Sequence, residues 1–236
     1  MSLVKHFKKN EAGRDLIIGD IHGHFSKAYA ALLSVGFDPE TDRVFSAGDL
    51  VDRGPESIDA IEWLNKPWFH AVRGNHEQMC IERCESYLHT VNGGAWFVGM
   101  TLAEQQPYVD AFSDLPAAIL IETSAGPVGV VHADPVADTW ARLEQRLGGT
   151  DDVDGFMQAL IWSRDRISSG FDAHIPDVRA VVVGHTPVER MTSLGNVFYI
   201  DTGGWLPESR FPGKSFTVLD AETLEKATSP VREVMA

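Results

Sequence analysis

A chain of 236 residues with 44% apolar content is long enough for one large domain with a sizeable core. Its formal charge of −14 argues against a general nucleic-acid binder or a protein that coats an anionic membrane, since both need a basic surface. A phosphorylated substrate is not excluded, because charges more than about 8 Å apart are screened at physiological salt and a local group of cations can still hold a phosphate. No apolar run approaches the roughly 18 residues that span a bilayer. The basic opening MSLVKHFKKNEAGR lacks the apolar core of a secretion signal, so a cytoplasmic location is expected.

In chain order, strands are expected at 16–18, 44–47, 69–72, 118–121, 128–131, 180–183, 197–200 and 216–219, where apolar and β-branched residues cluster. Helical patterns fall between the early strands: Phe25–Val35, Pro55–Leu64, with proline suited to a first turn, and His76–Tyr87. The opening is thus a β-α-β-α-β-α alternation and the later part is richer in strands, which together predict an α/β sandwich with helices outside the sheets. One domain is expected over the whole chain. The stretch 133–177 is too long for a plain loop and should carry helices of its own, as a cap or insertion. Within it, GGTDDVDG (148–155) reads as a turn between two of them. GGWLPESRFPG (203–213) reads as a surface loop. The two cysteines, Cys80 and Cys84, are spaced i, i+4 and are expected on one helix face as reduced, semi-buried thiols.

The polar residues that close the apolar runs carry the chemistry. Asp20 and His22 close the first, Asp49 the second, Asn75 and His76 the third, His132 the fifth and His185 the sixth. In four of these five cases glycine stands directly before the polar residue, which lets the backbone turn sharply and approach a ligand closely. Open α/β sheets build their sites at the carboxyl ends of strands, so these side chains should converge. Asp20, His22, Asp49, Asn75, His132 and His185 form a set of oxygen and imidazole donors without thiolate, suited to Mn, Fe(II) or Zn. Six ligands are too many for one ion that must also hold water and substrate. They suit two ions roughly 3.5–4 Å apart, with Asp49 as the bridge. In GDLVDRGP (48–55), Asp52 then points elsewhere, with a histidine as its natural partner, and Arg53 is left to face an anion. His6, His24, His70, His89 and His174 are expected to be ordinary hydrogen-bonded histidines, although His24 closes GDIHGH beside the site.

GDIHGH (19–24), GDLVDRG (48–54), RGNHE (73–77) and GHT (184–186), supported by NGGAWF, HAD, IWSRDRI and YIDTG, resemble the phosphoprotein phosphatase family of calcineurin-like metallophosphoesterases, in its small bacterial and phage branch. The resemblance implies one cation on Asp20, His22 and Asp49 and a second on Asp49, Asn75, His132 and His185, most commonly Mn²⁺. It implies a phosphate grip from Arg53, Arg73 and Arg164, with Arg166 as the alternative to Arg164, and an acid dyad of Asp52 and His76. The implied activity is hydrolysis of phosphoserine and phosphothreonine in proteins by direct attack of water, with phosphotyrosine as a further substrate; no nucleic-acid or membrane partner is expected, and the oligomeric state is left open with a monomer favoured.

Two other readings share these residues. A symmetrical diadenosine tetraphosphate hydrolase would have nearly the same metal site; Asp52 with His76, and GNHE rather than GNHD, favour the protein phosphatase. A non-catalytic metal-binding module would have lost ligands or arginines, and none is missing. Neither cysteine has the arginine six positions on that a cysteine phosphatase needs, and there is no DxDx[TV], P-loop or HExxH pattern.

Overall fold

The computed structural model describes residues 3–149 and 152–229. Two sheets lie face to face with helices on their outer surfaces. One has four strands in the order β10-β2-β3-β4: β10 (Val218–Asp220), β2 (Asp15–Ile18), β3 (Arg43–Ser46) and β4 (Phe69–Ala71). Its β2, β3 and β4 are parallel, and β10 closes the edge antiparallel to β2. The other has six strands in the order β1-β5-β6-β7-β9-β8: β1 (Val4–Phe7), β5 (Ala118–Ile121), β6 (Val128–Val131), β7 (Ala180–Val183), β9 (Val197–Tyr199) and β8 (Thr192–Leu194).

The near-continuous apolar runs have a direct cause: both faces of the central strands are buried. Side chains alternate between faces, so Ile17 joins Phe45, Val130 and Val182 in the layer between the sheets. Leu16 and Ile18 point the other way and pack with α1 (Phe25–Ser34), α2 (Ala60–Leu64), α3 (Asn75–Glu82) and α6 (Leu102–Ser113). Across the molecule, Val181 and Val183 of β7 pack against α7 (Trp140–Leu147) and α8 (Val153–Trp162). Truncating any of the larger of these to alanine would cost about 2–5 kcal/mol, and this rigidity holds the strand ends in fixed relation.

The eight expected strands are present within a residue or two at each end. Two short strands, β1 and β8, were not anticipated. The segment 133–177 does carry its own helices: α7, α8 and α9 (Asp165–Ser169). Thr150 and Asp151, inside the expected turn, lie outside the described residues.

Two helix expectations need correction. The first turns at Pro55–Leu64 form a loop and a 3₁₀ turn (Ser57–Asp59) before α2 begins at Ala60. The expected helix His76–Tyr87 breaks at Arg83, which is left-handed (φ 46°), and a new helix α4 (Ser86–Val91) starts beyond it. Cys84 therefore lies past the end of α3 and does not share a helix face with the buried Cys80; both are free thiols. No helix among the described residues is long and apolar enough to cross a membrane.

Candidate metal centre and acid dyad

The loops after β2, β3, β4, β6 and β7 meet at one end of the stacked sheets. Backbone bonds lace the first two together: the Ile21 and His22 amides donate to the Asp49 carbonyl at 3.0 and 2.8 Å, and the Gly23 amide to the Leu50 carbonyl at 2.7 Å. The fully buried Glu77 fixes the next pair, its carboxylate accepting from the amides of Asp49 (3.0 Å), Leu50 (2.8 Å) and Gly74 (2.8 Å). Gly74 and Gly184 are required by close approach, since a Cβ at either would overlap a carboxylate oxygen, of Asp49 or of Asp20 respectively. Of the nine non-glycine residues with positive φ among the described residues, five belong to the site: His22, Asp49, Asp52, Arg53 and His185.

All six expected ligands are buried and converge. The His132 Nε2 lies 2.9 Å from Asn75 Oδ1, 3.1 Å from His185 Nδ1 and 3.4 Å from Asp49 Oδ1. Donors held at bonds of about 2.1 Å around an octahedral ion are separated by about 3 Å, so this half of the site has the spacing of a coordination shell. In the other half, His22 Nε2 lies 3.7 Å from Asp49 Oδ2 and 3.9 Å from Asp20 Oδ2. Asp49 thus turns one oxygen to each half. The Nδ1 of His22 donates to the Val51 carbonyl (2.9 Å) and that of His132 to the Ala47 carbonyl (2.7 Å), so each ring turns its Nε2 toward the site. Ligand atoms of His22, Asp49 and His76, and of Asp49, His132 and His185, each lie within 4.8 Å of one another.

The charges also fit a cation pair. Burial, reinforced by Asp201 and then Asp49, pushes the Asp20 carboxyl well above its ordinary range. Burial and the neighbouring His76 push His22 down, and burial with His132 pushes His185 down to about 3. Burial would raise Asp49, but His132, His76 and His22 outweigh it and hold it well below the usual carboxylate range. His132 goes the other way: burial opposes its charge, but Asp49 beside it raises it, so a divalent ion on this ring would take the place of a proton.

Beside this set stands the expected dyad. The His76 Nδ1 donates to Asp52 Oδ2 at 2.6 Å, with both side chains buried. Burial opposes its ionisation, but the bonds from His76 and His89 bring Asp52 down to about 2. Arg53 reaches into the centre, donating to His22 Nε2 and, at 3.2 Å, to His76 Nε2.

The arginines divide. Arg164 is exposed at the start of α9 and close enough to help depress His185, whereas Arg166 is buried, its guanidinium donating to the carbonyls of Phe171 and Ala173. Arg73 is not brought into the site. Its guanidinium donates to the carbonyls of Ser113 (2.8 Å) and Leu115 (3.2 Å) and to Gln78 Oε1 (3.2 Å), which ties β4 to the end of α6. The Arg73 side chain leaves its loop away from the ligands, toward helix-end carbonyls that need a donor.

Three participants were not singled out from the sequence. His89 and Trp96 both donate to Asp52, at 3.0 and 2.7 Å. Asp201 is buried behind Asp20, with its Oδ1 accepting from Gly203 N and Trp205 Nε1 and its Oδ2 unpartnered. Asp201 comes after β9 and Ile200 just as the ligands come after their strands, and that placement was its available signal. Trp205 departs from the expected surface loop: its ring lies 4.6 Å from the His22 ring and 4.5 Å under the Arg53 guanidinium.

Residues 14–189 match the family model of the calcineurin-like phosphoesterases, and the chain belongs to that family. It is 34% identical over 198 residues to serine/threonine-protein phosphatase 2 of Salmonella typhimurium, covering 80% of this chain and 87% of the relative. It is 36% identical over 194 residues to serine/threonine-protein phosphatase 1 of the same organism, covering 79% and 85%. A crystal structure of a protein named provisionally as a diadenosine tetraphosphatase superposes with a TM-score of 0.64 over 95% of this chain and 96% of that one, at 20% identity, a likeness of fold.

Proposed function

We propose that this protein is a metal-dependent serine/threonine protein phosphatase that uses two divalent cations, Mn²⁺ foremost, held by Asp20, His22 and Asp49 and by Asp49, Asn75, His132 and His185. The observation that carries the reading is the Asp52–His76 pair at the edge of the ligand set, because a serine or threonine alkoxide is a poor leaving group that must be protonated as it departs. The two relatives named as serine/threonine-protein phosphatases support the same substrate class.

Bound cations would supply Lewis-acid stabilisation of the phosphoryl oxygens and an activated water. The chain's own residues do the rest. Arg53 and Arg164 bind the phosphate, the planar fork of Arg53 exchanging its contacts with His22 and His76 for two phosphoryl oxygens. His76, protonated at Nε2 once Arg53 has turned to the phosphate, gives its proton to the leaving oxygen. Asp52 holds the Nδ1–H and stabilises the imidazolium. Glu77 holds the Asp49 and Asn75 loops at fixed separation. Water attacks directly and no covalent intermediate forms.

The test is hydrolysis by chelator-stripped, Mn²⁺-restored protein of a phosphoserine peptide, an aryl phosphate and diadenosine tetraphosphate in parallel, for wild type and His76→Asn. Phosphate release from the peptide with the dinucleotide left intact is expected. His76→Asn should lower kcat on the peptide by about 10²-fold or more and on the aryl phosphate far less, since an aryl leaving group needs little help. Cleavage of the dinucleotide in preference to the peptide would assign the protein to nucleotide hydrolysis instead.

A further inference from the structure

We propose that His89 is a positioning residue for the leaving-group acid: with Trp96 it holds the Asp52 carboxylate in the one orientation that serves His76. This inference rests on the reading of His76 as the acid.

The pattern of α4 is the first observation. Its apolar side chains face solvent, with Tyr87 72% exposed, Leu88 49% and Val91 59%, while His89 is 1% exposed and is the helix's one buried residue. That inverts the ordinary arrangement of an amphipathic helix. A buried imidazole must find partners for its ring nitrogens, so a helix that buries a histidine in preference to a leucine is using the ring as a hydrogen-bonding group.

The second observation is the saturation of Asp52. Its Oδ2 accepts from His76 Nδ1 at 2.6 Å and from His89 Nε2 at 3.0 Å, and its Oδ1 accepts from Trp96 Nε1 at 2.7 Å. A carboxylate with a single donor can rotate about its Cβ–Cγ bond. With N–H groups on both oxygens from three directions it cannot, and its Oδ2 stays on the line to His76. Two of the donors come from outside the strand-end loops, His89 on α4 and Trp96 on α5 (Ala95–Val98).

The short link between those helices is shaped for this purpose. A Cβ at Gly94 would overlap the His89 ring, and the Gly94 amide donates to the His89 carbonyl at 2.9 Å. The Arg53 amide donates to the Gly93 carbonyl at 3.2 Å, so the same link steadies the residue beside Asp52. The NGGAWF motif thereby acquires a physical role. Cys80 Sγ lies 3.8 Å from the same His89 nitrogen, which gives Asp52, Cys80 and His89 the composition of a metal site. The hydrogen bonds favour the positioning role instead, because both Asp52 oxygens are engaged and His89 Nε2 carries the donated proton.

The experiment compares wild type, His76→Asn, His89→Leu, His89→Gln and Trp96→Phe in the full chain restored with Mn²⁺, on a phosphoserine peptide and on p-nitrophenyl phosphate. His89→Leu should lower kcat on the peptide by roughly tenfold or more with KM unchanged, and lower kcat on the aryl phosphate by no more than about twofold. His89→Gln, which keeps an N–H donor, should recover most of the loss. In an Asp52→Asn background His89→Leu should cost nothing further. If His89→Leu fails to fold, Trp96→Phe removes a donor at nearly constant shape and should show the same bias. Equal losses on both substrates, or no recovery in His89→Gln, would overturn the positioning role while His76→Asn keeps its bias. If His76→Asn itself shows no bias, the acid role falls and this inference with it.

Discussion

Asp201→Asn should stabilise the metal-free protein, and the size of the effect can be worked out from the geometry. Burial and the nearby Asp49 push the Asp201 carboxyl up from an ordinary 3.8 to about 6, against the bonds from Gly203 and Trp205. That difference, about 2 pH units at about 1.36 kcal/mol each, is about 3 kcal/mol. The folded pKa is the higher one, so the unfolded chain releases this proton first as the pH rises. The favourable contribution is fully present below pH 3.8 and is lost as the pH rises through about 6. Asparagine keeps the Oδ1 acceptor for Gly203 N and Trp205 Nε1 and removes the charge. In chelator-treated protein the variant should therefore match wild type near pH 4 and exceed it by about 3 kcal/mol at pH 8. For 236 residues at about 2.1 cal/mol/K each, that is a rise in Tm of about 6 °C. Urea unfolding of both proteins at pH 4, 6 and 8 measures it. With divalent metal restored the advantage should shrink or reverse, because a cation pair makes use of the carboxylate. A variant that is no more stable than wild type at pH 8 without metal would show that Asp201 does not carry the electrostatic strain its surroundings imply.

Two further contrasts arise from side chains that point in different directions. Arg53→Met should raise KM for the phosphopeptide and cut kcat/KM by about 10-fold to 10²-fold with little effect on Tm. Arg73→Met should leave KM alone and cost about 1–3 kcal/mol of stability through the orphaned carbonyls of Ser113 and Leu115; a KM defect in Arg73→Met equal to that of Arg53→Met would restore it to the phosphate grip. Away from the site, His70 sits against the rings of Phe7 and Phe45, and burial, then Arg43 and Lys5, push it down from 6.5 to about 4. The unfolded chain takes that proton first as the pH falls, so stability is lost between pH 6.5 and 4. His70→Phe should remove up to about 2 kcal/mol of the loss at pH 5, and an unchanged acid limb in urea melts would refute the assignment.

The long β-branched runs and the polar residues closing them were legible because both have one cause: strands buried on two faces must end abruptly in loops that carry the chemistry. Asp20, His22, Asp49, Asn75, His132 and His185 all stand at such ends. The features that were not legible depend on tertiary context. Strand β1 is four residues with only Val4 and Phe7 apolar, and it forms because β5 offers a parallel edge. The break at Arg83 has no glycine or proline to announce it. His89 has the local sequence of an ordinary surface helix, and only the fold reveals that it turns inward to Asp52. Arg73 stands one residue before Gly74 in a motif full of site residues, and proximity in sequence suggested a role that its side-chain direction does not support.

The loops around the site concentrate two kinds of cost. His22, Asp49, Asp52, Arg53 and His185 all hold left-handed backbone that glycine would adopt more readily, at about 1–3 kcal/mol each. Asp20, Asp49 and Asp201 crowd three buried carboxylates together, and the Arg53 guanidinium offsets only part of the burden on Asp20 and Asp201, both of which stay raised. Glycine at the strained positions would lower the first cost but supply no ligand. Neutral residues at the crowded ones would remove the second but hold no cation. A fold that keeps both has its strained backbone and its excess negative charge at one point, where divalent cations would relieve the charge directly and brace the backbone through their ligands. Metal binding at this site would therefore be coupled to folding. The rigidity of the paired sheets and the bonds from Glu77 to three amides hold the loops that carry these side chains in fixed relation.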